Sequence, residues 1–451
     1  MKRIITLYFL LIFTLTSCEK FLDEKPDDKM TTPETKSDLW ALLDNSTIMN
    51  SRCPIFDEVS ADNYFLTTAN FDKLKEEARS AYLWQKNDYN YVNEIARSSE
   101  AIYVANLCIE KCDELLRKQK EKELEEIKGS AMFFRSFYWL RDLWTYSLTY
   151  NENNADTDLG IVMRLSSDFN KRVSRNNVRT GYQTLIEYTK AATVLLPSYS
   201  SHPMRPSKAA GYALLARTYL SMQKYEDALL YADSCLQIKS DLMDFSTINL
   251  SSNFPFESFN KEVIFHNDVS SYVFFNTSPS YAFVDTLLYS TYNEYDLRKK
   301  AYFNPVGEFQ QFKGSYWSNS QNVLFTGLAT DEIYLIKAEC LARLDKIEDS
   351  ANTLWILMKS RWDKNHPLLN YSFQNKQEAI LKILEERRKE LLFRGIRWSD
   401  IKRLNNDGAG ITLRRLLNNI EYKLDSKSEK FALPYPRDLI EISGIEQNRG
   451  W

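Results

Sequence analysis

Apolar residues recur at three- and four-residue steps through two long segments in the first third of the chain. From Asn93 to Leu116 they follow the period of an amphipathic helix. From Leu124 to Trp144 a second helix is predicted, and its centre, residues 133–140, is apolar most of the way round. A helix with that pattern must be buried on several sides. The pattern therefore predicts two long neighbouring helices, the second of them in the core.

Two pairs of shorter helices share one design. Residues 208–222 and 225–238 are predicted helices joined by a two-residue link, and alanines on both allow the close antiparallel packing of a tetratricopeptide pair. Residues 216–228 align without a gap with residues 338–350, so the design recurs after a long insertion. This indicates an interrupted helical repeat. A final helix is predicted from Gln377 to about Arg394, with Gly395 as its C-cap.

The stretch from Asp241 to Thr330 separates the two pairs and differs from both. It has no helical period and is rich in aromatic residues, serine and asparagine. A stretch this long without a repeating element is usually disordered or functional. Its aromatic content argues against disorder. We therefore predict ordered loops mounted on the helical scaffold, which is where binding residues usually lie.

Composition excludes several classes of function. Of 451 residues, 26% are charged and 44% hydrophobic, as in ordinary soluble proteins. The formal net charge of −3 disfavours a nucleic-acid partner. Twelve glycines are few for this length and argue against a phosphate-binding loop. The 61 aromatic residues, 14% of the chain, are the unusual feature.

Cysteine and histidine are too sparse for most metal or covalent chemistry. None of the three histidines has a second histidine or cysteine at ligand spacing, so no zinc site, catalytic triad, metal or other cofactor is predicted. Asn154, Asp156 and Asp158 before Gly160 are similar to a calcium loop. The glycine is one place late, however, and no glutamate stands at the bidentate position, so calcium is disfavoured.

The N-terminal segment has the features of a bacterial lipoprotein signal. Lys2 and Arg3 precede an apolar run of about a dozen residues, which is shorter than the ~20 needed to span a bilayer. The run extends from Ile4 to Leu15, and Thr16 and Ser17 follow it directly before Cys18. We predict a signal peptide over residues 1–17, lipid on Cys18, a flexible tether over residues 18–38 and one domain over residues 39–451. The mature protein would then be tethered outside the cytoplasm.

Several ordered stretches resemble one known family, the SusD/RagB-like outer-membrane nutrient-binding lipoproteins of Bacteroidetes. The matching stretches are residues 18–23, 60–63, 102–106, 131–138, 208–220, 332–342, 386–400, 433–436 and 447–451. The chain departs from the family pattern in three places. Arg394 stands where glutamate is usual, Arg449 where proline is usual, and a polar loop spans residues 151–158.

The resemblance implies a mostly α-helical fold in which tetratricopeptide-like helix pairs pack against an irregular, loop-rich ligand-binding region. It also implies a lipid-anchored protein of the cell outer membrane, facing outward. Such proteins capture oligosaccharides and pass them to a SusC-like TonB-dependent transporter. By this resemblance the protein is a binding protein with no catalytic residues.

Glycan capture requires flat aromatic faces for sugar rings and polar groups for hydroxyls. Tyr316 and Trp317, followed by the polar residues 318–322, offer both within one loop. The further candidates are Tyr272 and Tyr281 in the insertion and Asp62, Asn63, Tyr64 and Trp84 near the N-terminus. For any one of these aromatic residues, packing in the core is the competing interpretation.

Two alternative functions stay open at this level. A glycosidase would use two carboxylates. A helical scaffold would bind only protein. The alternating charges of residues 385–390 favour a solvated or internally paired helix face over a general-acid pair or a basic nucleic-acid helix.

Overall fold

The computed structural model describes residues 33–86, 94–270, 276–368 and 370–451. Its helices are α1 Lys36–Leu43, α2 Ser46–Met49, α3 Phe56–Ser60, α4 Thr68–Asp72, α5 Glu76–Tyr82, α6 Glu94–Lys118, α7 Lys122–Tyr146, α8 Val178–Leu195, α9 Lys208–Ser221, α10 Tyr225–Ile238, α11 Thr286–Ser290, α12 Arg298–Ala301, α13 Thr330–Arg343, α14 Ile347–Lys359, α15 Lys376–Glu390, α16 Arg397–Asn406 and α17 Arg437–Ser443. Its strands are β1 Tyr64–Leu66, β2 Leu159–Val162, β3 Arg175–Asn177, β4 Val263–Phe265, β5 Asp268–Ser270, β6 Ala282–Val284, β7 Phe303–Val306, β8 Phe309–Phe312, β9 Val323–Phe325, β10 Leu328–Ala329, β11 Leu413–Leu417 and β12 Ile420–Leu424. The predicted mostly α-helical fold is confirmed.

The two long predicted helices are α6 and α7, and each begins and ends within two residues of its predicted bounds. From Gly129 to Tyr146, every residue of α7 is buried, as its apolar pattern requires. Helix α8 packs so closely on α7 that a Cβ added at Gly129 would lie 2.8 Å from the Cβ of Leu195. The core of the protein forms around α7.

The two predicted helix pairs are α9–α10 and α13–α14. The close approach of α9 and α10 is possible because small side chains are buried along them, namely alanines 209, 210, 213, 216, 228 and 232. Helix α10 also packs on α13, and α13 on α15. The pairs therefore stack as neighbours although the long insertion separates them in the chain.

The prediction for the last helix was wrong in two respects. Helix α15 ends at Glu390, and two further helices, α16 and α17, follow it. Gly395 lies beyond a turn rather than at the cap, and its φ of 66° suits glycine. Its N–H donates to Glu58 Oε2 at 2.9 Å, and its carbonyl accepts from Arg141. This glycine joins the turn after α15 to the N-terminal segment.

The insertion, predicted as loops, contains a set of short antiparallel ladders. Within it β4 pairs with β10, β5 with β9 and β7 with β8, while β6 pairs with β1 outside it. In the β1–β6 pair, Tyr64 lies opposite Val284 and Phe65 opposite Phe283. The insertion is therefore fastened to the N-terminal segment by backbone hydrogen bonds.

A buried ionic network fastens the insertion to the scaffold. Arg298 pairs with Asp296, Glu386 and Glu390, and Arg361 bridges Glu262 to Glu390. Burial alone would raise the pKa of Glu390, but Arg361 and Arg298 hold it below its ordinary value. Pairing of this kind offsets the cost of removing each charge from water. The charged face of α15 is thus internally paired.

The described part of the chain begins at residue 33, so the predicted signal peptide and Cys18 lie outside it. Helix α1 starts at Lys36 behind a Thr35–Asp38 capping box, and the last three residues of the predicted tether are therefore helical. Among the helices within the described ranges, none has both the length and the apolar character needed to cross a membrane.

Candidate functional site

Trp317 lies on a partly exposed aromatic surface of the insertion. Its ring is half-buried and packs against the fully buried His266, with 5.5 Å between ring centroids. His266 in turn contacts Phe259 at 4.8 Å, and Phe259 contacts the exposed His202 at 4.6 Å. We call Trp317, Phe259 and His202, with Ser258 and residues 318–322, the Trp317 surface. Three rings reach solvent there around one buried imidazole.

Phe259 was not predicted as a site residue. Its φ is 58°, a left-handed backbone that bulky side chains rarely adopt. Such strain persists only where the surrounding structure imposes it, and it clusters at functional sites. The neighbouring Ser258 is tied to the Trp317 loop, because its hydroxyl accepts from Ser318 N–H at 3.1 Å and lies 3.1 Å from the hydroxyl of Ser318. The feature of the sequence that could have indicated Phe259 is the cluster of aromatic residues at positions 254–259.

The predicted polar groups beside Trp317 form an ordered rim. Ser278 donates to the side-chain oxygen of Asn322 at 2.6 Å, and Gln321 donates to the carbonyl of Asn253 at 3.2 Å. The exposed Asn319 has no acceptor for its amide nitrogen among the described residues. The rim thus combines fixed side chains with a donor left for an external partner.

Tyr316 cannot serve as a stacking platform, because it is 0% exposed. Its hydroxyl donates to Glu262 Oε2 at 2.6 Å and lies 3.2 Å from Asp331 Oδ2. Its ring lies under the guanidinium of Arg394, 4.0 Å from the centroid, and Arg394 also pairs with Asp331. Burial raises the pKa of Glu262 to about 7. Tyr316 therefore anchors the loop that carries Trp317.

The N-terminal candidates Tyr64, Trp84 and Asn63 are also buried. Arg415, on β11, lies against the rings of Tyr82, Tyr64 and Trp84 at 4.2, 5.1 and 5.2 Å. It also donates to the carbonyls of Tyr64 and Ala61. We call these three rings with Arg415 the Arg415 cage. A guanidinium of this chain occupies the place that was predicted for a ligand.

Asn63 and Asp62 are held by neighbours within the same region. The amide of Asn63 donates to Glu58 Oε1 at 2.6 Å. Asp62 accepts two hydrogen bonds from Arg397 and pairs with Arg388. Burial would raise the pKa of Asp62, but the two guanidinium groups hold it well below its usual range. Both side chains therefore hold the turn before β1 in place.

A groove of about 500 Å³ lies between β1 and the β11–β12 hairpin. Asp62 and Tyr64 line it, as does Phe65. Phe65, Phe283 and Phe309 are half-buried and in contact, with ring centroids 5.0–5.8 Å apart. Phe65 lies next to the predicted Tyr64 but on the opposite face of β1. Sequence alone did not show which face would be outward.

The other insertion candidates have different outcomes. Tyr281 is half-buried, directly before β6, and its carbonyl accepts from Asn70 at 2.9 Å. Tyr272 lies outside the described residues. Through the Ser278–Asn322 bond, the segment before β6 meets the Trp317 loop. One side-chain hydrogen bond thus joins the segment that carries Tyr281 to the Trp317 loop, and the Arg415 cage is a separate cluster.

Within the described ranges, no group of three or more histidine, cysteine or acidic side chains could hold a metal ion. In the loop of residues 151–158, which was compared with a calcium loop, Glu152 and Asp156 form ion pairs within the protein. Arg179 pairs with both Glu152 and Asp156, and Lys224 adds a second pairing to Glu152.

The arrangement of the Trp317 surface suits recognition by stacking and hydrogen bonding.

Two family models match this chain. A SusD-like family model described as starch-binding associating with outer membrane matches residues 20–220, and the SusD family model matches residues 313–451. Together they cover three-quarters of the chain. Among curated proteins, none matches.

Solved structures share the fold at low sequence identity. A putative sugar binding protein from Bacteroides vulgatus is 17% identical, with a TM-score of 0.76 over 94% of this chain and 100% of that one. A SusD superfamily protein from Bacteroides thetaiotaomicron is 17% identical, with a TM-score of 0.74 over 92% and 99%. A SusD-like carbohydrate binding protein from Bacteroides vulgatus is 19% identical, with a TM-score of 0.66 over 87% and 89%.

The two family models and the shared fold agree with one another and with the residues that first suggested the family. Proteins of this family bind carbohydrates, associate with the outer membrane and are not enzymes. The chain belongs to the SusD/RagB-like family.

Proposed function

We propose that this protein captures an oligosaccharide on the Trp317 surface and delivers it to a SusC-like TonB-dependent transporter. The observation that carries the proposal is the half-buried Trp317 ring held beside a polar rim. A sugar ring places its C–H face on the indole, and its hydroxyls bond to groups such as the amide of Asn319. Phe259 extends the apolar surface toward a second ring of the ligand.

The rigidity of the surface supports the same proposal. Trp317 is backed by the buried His266, and the loop is fixed below by Tyr316 and at its edge by Ser258. A preformed surface loses little conformational entropy when it binds, so modest contacts give useful affinity. We expect dissociation constants between millimolar and micromolar, equivalent to about 4–8 kcal/mol.

Delivery requires that the protein be held at the outer membrane. We infer that acyl chains on Cys18 anchor it there, facing outward, and that residues between Cys18 and α1 form the tether. Several acyl chains hold firmly, since each buried CH₂ contributes about 0.8 kcal/mol. Family membership supports a SusC-type partner in general terms.

Titration calorimetry tests the capture step. The domain without residues 1–18 is titrated with malto-, xylo- and mixed-linkage gluco-oligosaccharides, all neutral. We expect saturable binding to at least one series, weakened about tenfold or more by Trp317→Ala, because the stacking area is lost.

The matched control is Trp355→Ala. Trp355 is also half-buried, but it lies on helix α14 with the ammonium of Lys359 above its ring. Affinity should be unchanged in this variant. Equal affinity in the Trp317→Ala protein and the unmodified protein would remove Trp317 from the site.

Anchoring and partnership have their own test. In whole cells, Cys18→Ala should release the protein from the membrane fraction, and the unmodified protein should co-purify with a TonB-dependent transporter. A protein that stays membrane-bound after Cys18→Ala would overturn the lipid assignment without affecting the binding assignment.

A further inference from the structure

A second pocket, of about 410 Å³, shares no residue with the Trp317 surface. It lies between the loop after α7, the end of α16 and the segment after β12. Its polar lining includes Asn151, Asn154, Asp158, Lys402, Ser426 and Lys427. Small-molecule sites usually have volumes of about 300–1,000 Å³, so the pocket is of the right size for one. One wall is the polar loop in which this chain departs from the family pattern.

Lys402 is the buried charge of this pocket, with 5% of its surface exposed. Its ammonium donates to the carbonyl of Trp144 at 2.7 Å and to that of Ser147. An ammonium has three N–H donors. Within the part of the chain that the structure describes, the third donor has no partner, and no carboxylate pairs with the group.

The charged groups around Lys402 are committed elsewhere or lie at the rim. The charge of Asp57 favours the protonated form of Lys402, but the Asp57 carboxylate forms its own ion pair with Arg141 at 2.9 Å. On the same helix, Arg403 pairs with Asp400 and Glu339. Asp158 and the exposed Lys427 line the pocket with opposite charges. Lys402 is therefore a cation without a close counter-ion, and burial lowers its pKa to about 7.

The rest of the pocket offers uncharged hydrogen-bonding groups. The side chains of Asn154 and Ser426 have no partner among the described residues, whereas Asn151 donates to Asn406 at 2.6 Å. The buried Phe431 provides an apolar floor. Free amide and hydroxyl groups above an apolar floor suit a ring that carries hydroxyls.

We propose that this pocket binds an acidic sugar, a hexuronic acid, with its carboxylate on the ammonium of Lys402 and its ring hydroxyls on Asn154 and Ser426. The ligand supplies the missing counter-ion and the missing hydrogen-bond partners together. The site lies outside the Trp317 surface and does not depend on stacking there.

Titration calorimetry and NMR with D-galacturonic acid test the assignment. Galactose lacks the carboxylate and acetate lacks the ring, so each should bind at least about tenfold more weakly, because a charge-assisted hydrogen bond or the ring contacts are absent. Galactose that binds as tightly would overturn the role of Lys402. Acetate that binds as tightly would overturn the sugar.

Three variants locate the site. Lys402→Met should abolish binding, and since Lys402 also satisfies two buried carbonyls, Asn154→Ala is measured beside it. Asn154 is exposed and its side chain forms no hydrogen bond with the described residues, so Asn154→Ala should leave the fold intact and weaken binding about fivefold. Its neighbour Asn153, exposed and not in the lining, is the matched control, and Asn153→Ala should change nothing.

Trp317→Ala should also leave galacturonic acid binding unchanged, which separates this proposal from the one above. Unaltered affinity in the folded Asn154→Ala protein, or a loss in the Trp317→Ala protein, would overturn the assignment to this pocket.

The pH dependence gives an independent readout. Lys402 is protonated below about pH 7, so affinity should be constant there and should fall by up to about tenfold per pH unit above it. At pH 7.5, binding should take up a proton, and the measured enthalpy should then vary with the ionisation enthalpy of the buffer. A constant affinity from pH 6 to pH 9 with no proton uptake, together with unchanged affinity in the Lys402→Met protein, would overturn the contact with Lys402.

Discussion

The Trp317 surface and the Arg415 cage are both groups of aromatic side chains in loops, and the sequence marked both as candidate ligand sites. They differ in what fills the space between the rings. In the cage, the guanidinium of Arg415 lies within 4.2–5.2 Å of three ring centroids and donates to the carbonyls of Tyr64 and Ala61. Around Trp317 no cation of the chain lies over the indole within the described residues, and the outer face is half exposed.

The difference shows that an aromatic cluster is a candidate ligand site only where the fold leaves its faces uncovered. Cation–π contacts and buried carbonyls make the cage a structural joint between β11 and the N-terminal segment. Tyr316 and Trp317 are adjacent in sequence and differ in the same respect, because only the ring of Trp317 has an uncovered face. Tyr316 lies against Arg394 inside the core, and Trp317 lies outside it.

Removing the cation from the cage should have the largest effect. Arg415→Met leaves the carbonyls of Tyr64 and Ala61 without a donor and removes three cation–π contacts. We expect the free energy of unfolding to fall by about 3 kcal/mol or more, measured by urea denaturation.

The neighbouring Arg414 is the matched control for that experiment. It is exposed and forms a surface pair with Glu421 at 2.6 Å, so Arg414→Met should cost at most about 1 kcal/mol. Equal effects of the two variants would mean that the cage contributes no more than a surface ion pair.

Tyr316→Phe sharpens the comparison within the insertion. The variant keeps the ring under Arg394 but removes the hydroxyl that donates to Glu262, leaving a buried carboxylate with one donor fewer. We expect about 1–3 kcal/mol of destabilisation by urea denaturation, with oligosaccharide affinity within about twofold of normal. A folded Tyr316→Phe protein that loses as much affinity as Trp317→Ala would contradict the assignment of Tyr316 to the core.

The effect of Glu58→Gln on stability depends on pH. Burial raises the pKa of Glu58 to about 7, so between about pH 4.3 and pH 7 the folded state keeps a proton that the unfolded chain has released. The stabilisation from this group is therefore complete at low pH and is lost as the pH rises through 7. Glutamine does not titrate, and Asn63 can turn its unpartnered amide oxygen toward it.

The difference in unfolding free energy between Glu58→Gln and the unmodified protein should therefore shift in favour of the variant by about 2 kcal/mol from pH 5 to pH 8. Urea denaturation at the two pH values measures it. A difference that stays constant over that range would show that Glu58 does not titrate with a raised pKa.

Much of the scaffold could be predicted from local pattern. The 3.6-residue period of α6 and α7 and the alanine seam of α9 and α10 are properties of short stretches, and the helices that they predict are present. The bounds of α10 were predicted to the residue. The end of α15 was not, because residues 391–395 keep an apolar pattern but are drawn into a turn by contacts with Glu58 and Arg141.

The candidate site could be predicted only in part. Trp317 was predicted because polar residues follow it directly, whereas Phe259 and Phe65 were not predicted. Phe259 lies about 60 residues from Trp317 in the chain and is joined to it by Ser258 and His266. Tyr64 and Phe65 alternate across β1, and only its pairing with β6 decides which of them is outward.

By itself the sequence determined the helices, the interrupted repeat, the likeness to one family and the region where aromatic residues concentrate, because these follow from patterns within short stretches. The tertiary structure alone decided which rings are covered. Arg415 and Arg394 reach their aromatic partners from distant parts of the chain. Burial depends on such long-range contacts, and residue type in a single sequence does not encode them.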